Sequence, residues 1–286
     1  MSEATTRRVR AVAAAALAAL LATPAAAQLQ SVTSARQLQG ERTLDAEIRF
    51  GAGRLRVEPG RENMLYRMEL RYDDRVFRPL TDYDRASGRL RLGTESLRRR
   101  GETRLDHEQR ATISLSPSVS TELDLEFGAG EAEVELGGMA LESLDLSTGA
   151  SETVVSFSRP NRVEARTVRV EAGAAEIRVE KLGNARAERF VFKGGVGEAT
   201  LDFTGAWSRS ATASIDMGLG SVRLRFPRGL GVRIVKDSFL ASFEHGGMVR
   251  RGNAWYSRGY DEAAVKLDME IDAALGSIEV EWVDGR

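Results

Sequence analysis

From residue 40 onward, apolar and polar side chains alternate in short runs, and each run restarts after a phrase of small residues. Seven copies of the phrase recur: GAGRLRV at Gly51, GAGEAEVEL at Gly128, GASETVVSF at Gly149, GAAEIRV at Gly173, GVGEATLDF at Gly195, GLGSVRLRF at Gly218 and ALGSIEVEW at Ala274. Between Gly128 and Gly218 the copies start 21, 24, 22 and 23 residues apart. Four residues beyond each start the chain carries Leu55, Ala132, Thr153, Ile177, Ala199, Val222 and Ile278. Six beyond, it carries Val57, Val134, Val155, Val179, Leu201, Leu224 and Val280. The run before the phrase alternates too, as in Leu123/Leu125, Leu144/Leu146, Val168/Val170 and Phe190/Phe192. Period two is the mark of a half-buried strand. A slip of one residue would turn every such face inside out, so register is strongly specified.

Each unit of about 22 residues therefore predicts two short strands joined at a glycine corner, where positive φ and close backbone approach are needed. One unit cannot bury its apolar face alone, whereas stacked units share a continuous core. The expectation is an all-β, parallel β-solenoid with an irregular β cap at its N-terminal end. A two-sheet antiparallel sandwich also gives short alternating strands, but it does not account for the near-constant period. The repeat is interrupted twice. Between Gly51 and Gly128 only MLYRMELRY and GRLRLG read as strands, which predicts the cap. Between Gly218 and Ala274 a degenerate unit fits at Phe239, with Phe243 in the core column, leaving HGGMVRRGNAWYSRGYDE as a surface insertion.

The first residues follow other rules. Arg7, Arg8 and Arg10 precede an apolar run from Ala11 to Ala22, and Ala25-Ala26-Ala27 follows. This reads as an export signal with a small-residue cleavage site, too short to span a bilayer. Cleavage leaves 38 basic and 41 acidic groups, net −3. The resulting division is 1–27 signal peptide, 28–119 linker and β cap, and 120–286 solenoid. No later stretch predicts a transmembrane segment, so the mature chain is expected in the periplasm or outside the cell. The near-neutral charge argues against a nucleic-acid partner. With no cysteine and only two histidines, disulfides, thiolate metal sites and acylated cysteine are excluded.

The phrases GGVGEATLDFTG, GLGSVRLRFP and ALGSIEVEW resemble the toast-rack β-solenoid domain, well over about residues 120–286 and more loosely over 40–119. That resemblance implies an extracytoplasmic domain of the kind shared with membrane proteins of the bacterial cell-wall stress response. It implies no catalytic residues.

Candidate chemistry is sparse. No G-x-S-x-G elbow, H-E-x-x-H helix or P-loop occurs. Asp82, Asp84, Ser87 and Gly88 depart from calcium-loop spacing and read as a polar hairpin turn. LRRRG at Leu97–Gly101 reads as a solvated loop, and His107 and His245 lack evident partners. The insertion gathers Arg250, Arg251, Trp255, Tyr256, Arg258 and Tyr260, a composition enriched at binding hot spots. Its plainer role is packing, with Trp255 and Tyr260 anchoring the loop. Glu131, Glu152, Glu176 and Glu198 share one outward column and should stack as a ladder, offset by arginines such as Arg178 or by a weakly held divalent cation; no other cofactor is expected. The function expected is a non-enzymatic envelope scaffold or binding module, its partner an envelope protein or polysaccharide. The alternatives are a polysaccharide-acting β-helix enzyme and a self-associating structural protein or adhesin, with Trp282 covering or completing an exposed end.

Overall fold

The computed structural model describes residues 29–97 and 108–284. Fifteen strands form it: β1 (Gln30–Gln37), β2 (Thr43–Pro59), β3 (Met64–Tyr72), β4 (Phe77–Asp84), β5 (Arg89–Ser96), β6 (Arg110–Leu115), β7 (Ser120–Glu135), β8 (Leu141–Ser156), β9 (Ala165–Glu180), β10 (Ala187–Asp202), β11 (Ala211–Pro227), β12 (Gly231–Glu244), β13 (Val249–Arg251), β14 (Ala254–Tyr256) and β15 (Lys266–Val283). The eight long strands stack in parallel in the order β2-β7-β8-β9-β10-β11-β15-β12. A sandwich of antiparallel strands is thereby replaced by the predicted solenoid.

Each long strand has two arms that meet at the small-residue phrase, and both arms turn an apolar face inward. Leu123, Leu125 and Phe127 are buried before the corner in β7, and Ala132, Val134 and Leu136 after it. The same columns are buried from Leu55 and Val57 in β2 to Ile278 and Val280 in β15, whereas in β12 Phe243 is half-buried and His245 exposed. Phe203, Phe226 and Trp282 continue them as an aromatic stack, with centroids 5.3 and 5.5 Å apart.

The corner is tight because neighbouring backbones approach there. Gly220 has φ +144°, and a Cβ on it would strike the carbonyl oxygen of Gly197 one coil below. β8 and β9 carry Ser151 and Ala175 at this position and turn without positive φ. The Ser151 hydroxyl instead bonds Thr148 at 2.6 Å and Thr153 at 3.0 Å, which satisfies two hydroxyls in the core.

Three features differ from the sequence expectation. β2 is itself a coil, with Gly53 opposite Gly130, so the stack begins inside the stretch read as cap. Beyond β2, β5 pairs with its first arm and β6 with its second, together making one split coil; β4 borders β5, and β3 and β1 follow β6. At the other end the coils do not stack in chain order. β15 inserts between β11 and β12, with Gly276 opposite both Gly220 and Ala241. Trp282 is half-buried against Phe226, on the last part of β15, which β12 does not pair beyond Glu279. Phe243 does sit in the core column, opposite Ile278.

Candidate functional site

The insertion forms a hairpin that continues the first-arm sheet. β14 runs antiparallel to β12, pairing Arg233 with Tyr256, Ile234 with Trp255 and Val235 with Ala254, and β13 pairs with β14. The Ser257 hydroxyl accepts from the Val232 N–H at 2.9 Å and fixes where the hairpin leaves the sheet. Ile234 is buried, so its partner Trp255 also faces inward. Its ring stacks on His245 at 4.6 Å and meets Phe243 edge-on at 5.5 Å. Trp255 thus closes the end of the core.

The next residue points the other way. Tyr256 lies opposite Arg233, whose Nε donates to the phenol oxygen at 3.2 Å. Tyr260 meets Tyr256 edge-on at 5.0 Å, and the Arg251 guanidinium lies 5.1 Å over the Tyr256 ring. Arg251 also pairs with Asp261 at 2.8 Å, and the Tyr260 hydroxyl donates to Asp268 at 3.1 Å. Desolvation, then the Asp268 contact, pushes the Tyr260 phenol above its ordinary range. The Tyr256 hydrogen bond, opposed by desolvation, holds Arg233 more firmly charged. Of the six insertion residues, Arg251, Tyr256 and Tyr260 converge on this outer face. Trp255 is on the inner face, and Arg250 and Arg258 are exposed outside the cluster. Arg233 completes the cluster and was missed, although the alternation Val232-Arg233-Ile234 marks it as outward.

Glu131, Glu152, Glu176 and Glu198 are opposite one another on β7, β8, β9 and β10, as the repeat predicts. The column continues to Arg54 on one side and Ser221 on the other. Arg54 pairs with Glu131 at 3.2 Å and with Glu108 at 2.8 Å. Among the described residues no three acidic or histidine side chains converge as metal ligands do. The Asp84 turn bonds internally, accepting from Ala86 N–H at 2.9 Å and Ser87 hydroxyl at 2.7 Å. His107 and residues 98–101 lie outside the described residues.

A further surface runs along the corner. The middle residue of each phrase is exposed or half-buried: Ala52, Ala129, Ala150, Ala174, Val196, Leu219, Leu275 and Leu240 in stacking order. The last four are aligned in register and are 44–63% exposed. Beside this ridge lies an open groove of about 500 Å³, lined by Ser147, Glu171, Lys193, Asp216 and the corner glycines. Lys193 and Glu171 pair across it at 3.0 Å.

A repeat of bent parallel strands around one core defines the class as a toast-rack β-solenoid. Residues 25–180 match the family described as the N-terminal domain of toast_rack, DUF2154, and the chain belongs to that family. A candidate cell-adhesion protein of Clostridium sporogenes has a similar crystal structure, at 18% identity and a TM-score of 0.53, over 90% of this chain and all of that one. A candidate adhesin of Bacteroides fragilis is similar at 12% identity and a TM-score of 0.42, over 88% of this chain and 97% of that one. These likenesses concern the fold. A comparison with curated proteins finds no match.

Proposed function

We propose that this protein is an exported, non-enzymatic binding module of the bacterial cell envelope, with adhesion to an envelope polysaccharide or protein as its task. The observation that carries the reading is the outer-face cluster of Tyr256, Tyr260, Arg251 and Arg233 on a hairpin added to a rigid stack. Aromatic faces held by guanidinium groups offer large contact area at little entropic cost, the character of binding hot spots. Family membership supports the reading at the level of fold, and the description of the Clostridium protein as a candidate in cell adhesion suggests the same kind of task. The arginine-led apolar N-terminal segment supports export. Function rests on a site, and this cluster is the one the geometry assembles.

The test is co-sedimentation of the purified mature protein with isolated sacculi and, separately, capture on immobilised lipopolysaccharide. Tyr256→Ala with Tyr260→Ala should lower binding at least about tenfold, equivalent to roughly 1.4 kcal/mol. Binding unchanged by the double variant removes the cluster from the proposal. Appearance of new reducing ends or unsaturated uronates during incubation with a polysaccharide panel would establish the enzymatic alternative instead.

A further inference from the structure

A cleft of about 320 Å³ lies at the last coils, on the side where the chain passes from β11 to β12. None of the residues of the tyrosine–arginine cluster lines it. Turns and a strand end enclose it. Arg228 comes from the turn between β11 and β12, Gly246 and Gly247 from the turn after β12, Ser257 and Arg258 from the turn after β14, and Trp282 from the last part of β15. Backbone bonds hold each wall in place. The Arg228 N–H donates to the Val283 carbonyl at 3.1 Å, and the Ser257 N–H donates to the Val232 carbonyl at 2.8 Å. The Met248 N–H donates to the His245 carbonyl at 3.0 Å and closes the two-glycine turn. The volume is at the small end of ligand sites, which run from about 300 to 1,000 Å³.

Two side chains of the cleft have binding capacity that the fold does not use. In the aromatic stack Phe226 has Phe203 on one side and Trp282 on the other, but among the described residues Trp282 meets no ring besides Phe226. The pairing of β12 with β15 ends at Glu244, opposite Glu279, so no described strand continues over the indole. The Gly246–Gly247 turn passes there instead. A Cβ at Gly246 would strike the Val280 carbonyl oxygen, whereas one at Gly247 would meet only the Arg258 guanidinium, 3.9 Å away. Arg258 is exposed, and among the described residues no carboxylate pairs with it. Arg228, at the same mouth, is already paired with Asp284 at 2.7 Å. We infer that this cleft binds a single anionic sugar residue, with its pyranose ring laid on the Trp282 indole and its carboxylate paired with Arg258. The face of an indole is negative and attracts the C–H groups that a pyranose presents on its less hydroxylated side. A guanidinium takes a carboxylate through two parallel N–H···O bonds. One uncommitted cation suits the one carboxylate of a uronic acid, and the ring hydroxyls remain at the open mouth in water. The site is independent of the tyrosine cluster and adds a chemical class to what the protein recognises.

The test is proton–nitrogen correlation NMR of the mature protein, titrated with methyl β-D-glucuronide and, separately, with methyl β-D-glucoside, the same ring without the carboxylate. The glucuronide should shift the Trp282 indole N–H and the Gly246 and Gly247 amides with a Kd of about 1–10 mM, and the glucoside should bind at least about tenfold more weakly. Arg258→Gln should reduce glucuronide binding to the level of the glucoside. Because Arg258 is exposed, the melting temperature of that variant should be unchanged. Trp282→Leu should weaken both glycosides, read at the glycine amides; if its melting temperature shows that it does not fold, the Arg258 variant alone decides. Sodium acetate and inorganic phosphate, each at the glucuronide concentration, should leave the indole signal in place. No shift at these groups, equal affinity for the two glycosides, or full glucuronide binding by Arg258→Gln overturns the proposal. So does an indole shift that acetate or phosphate reproduces, since the cleft would then be an anion contact and not a sugar site.

Discussion

The backbone N–H of Asn161 donates to the carbonyl oxygen of Asn184 at 2.8 Å, joining the connections that follow β8 and β9. Each side chain then satisfies other buried backbone groups. Asn161 Nδ2 donates to the carbonyls of Leu141 at 2.7 Å and Val163 at 2.9 Å, and its Oδ1 accepts from the Leu141 N–H at 2.9 Å. Asn184 Nδ2 donates to the Phe157 carbonyl at 2.7 Å, and its Oδ1 accepts from the Ala206 N–H at 2.8 Å. Both residues are buried. Asn161→Leu should therefore strand several backbone groups, each costing about 1–3 kcal/mol, and lower the urea midpoint without changing the slope. A midpoint within error of wild type would show that water takes over these bonds.

The glycines with positive φ divide into two kinds, those at a corner and those in a turn between coils. Gly220→Ala drives a methyl group into the Gly197 carbonyl at φ +144°, and neighbouring coils must separate. Gly229 also has positive φ, +94°, but a Cβ there meets nothing within 4 Å. Gly229→Ala should cost about 1–2 kcal/mol from backbone conformation alone. Gly220→Ala should cost clearly more, and equal melting temperatures for the two variants would remove the close-approach argument.

The columns that make the core were legible because they depend only on alternation and on the spacing of the phrase. Leu224, fully buried between coils, is an example. Leu224→Ala should cost about 2–5 kcal/mol, and Val134→Asp should prevent folding altogether, as judged by circular dichroism. The order of the last coils was not legible in the same way. β12 and β15 both carry the pattern, and their order is set by pairing between strands far apart in the chain, β15 with β11 on one side and with β12 on the other. Asn161 and Asn184 escaped notice because they lie in connections outside the alternating runs. Leu219, Leu240 and Leu275 lay within the phrase itself. Their exposure follows from the corner geometry, since the apex residue of a bend points away from both faces. The same alternation placed Trp255 and Tyr256 on opposite faces, although composition alone grouped them together.

Two carboxylates on the same strand should respond oppositely to pH. Desolvation, then Glu126, Asp145 and Glu47, pushes the Asp124 carboxyl above its ordinary range, against the pull of Arg49. The folded state thus binds the Asp124 proton more tightly than the unfolded state, and stability is lost as pH rises from about 4 through the folded value. Asp124→Asn should raise the melting temperature at pH 7, with the gain disappearing below about pH 4. For Glu135, desolvation raises the carboxyl, but bonds from Ser156, Ser158 and the Gly137 N–H together outweigh it and hold it low. Its contribution is present above about pH 4.3 and is lost as pH falls through the folded value. Glu135→Gln should lower the melting temperature at pH 7 and converge on wild type in acid. Parallel curves for either variant and wild type across this range would contradict the assignment.

The glutamate ladder sets repulsion against what the stack can tolerate. Glu152 is opposite Glu131 and Glu176, with no cation opposite it in that column; Arg54 at the ladder's end pairs with Glu131. Like charges directly opposite on neighbouring strands cost about 0.2–1 kcal/mol per contact. Exposure lets the side chains splay, and salt reduces the cost further, since the screening length falls to about 8 Å at physiological ionic strength. Glu152→Gln with Glu176→Gln should therefore raise the melting temperature in low-salt buffer, and the gain should shrink as sodium chloride is added. A calcium ion takes 6–8 oxygen ligands, and a row of single carboxylates spaced one strand apart brings too few of them to one point. Millimolar calcium should then act no more strongly than sodium chloride of matched ionic strength, in wild type and double variant alike. A calcium-specific rise in wild-type melting temperature, abolished by the double substitution, would establish instead that the ladder binds a cation and that the repulsion is offset by it.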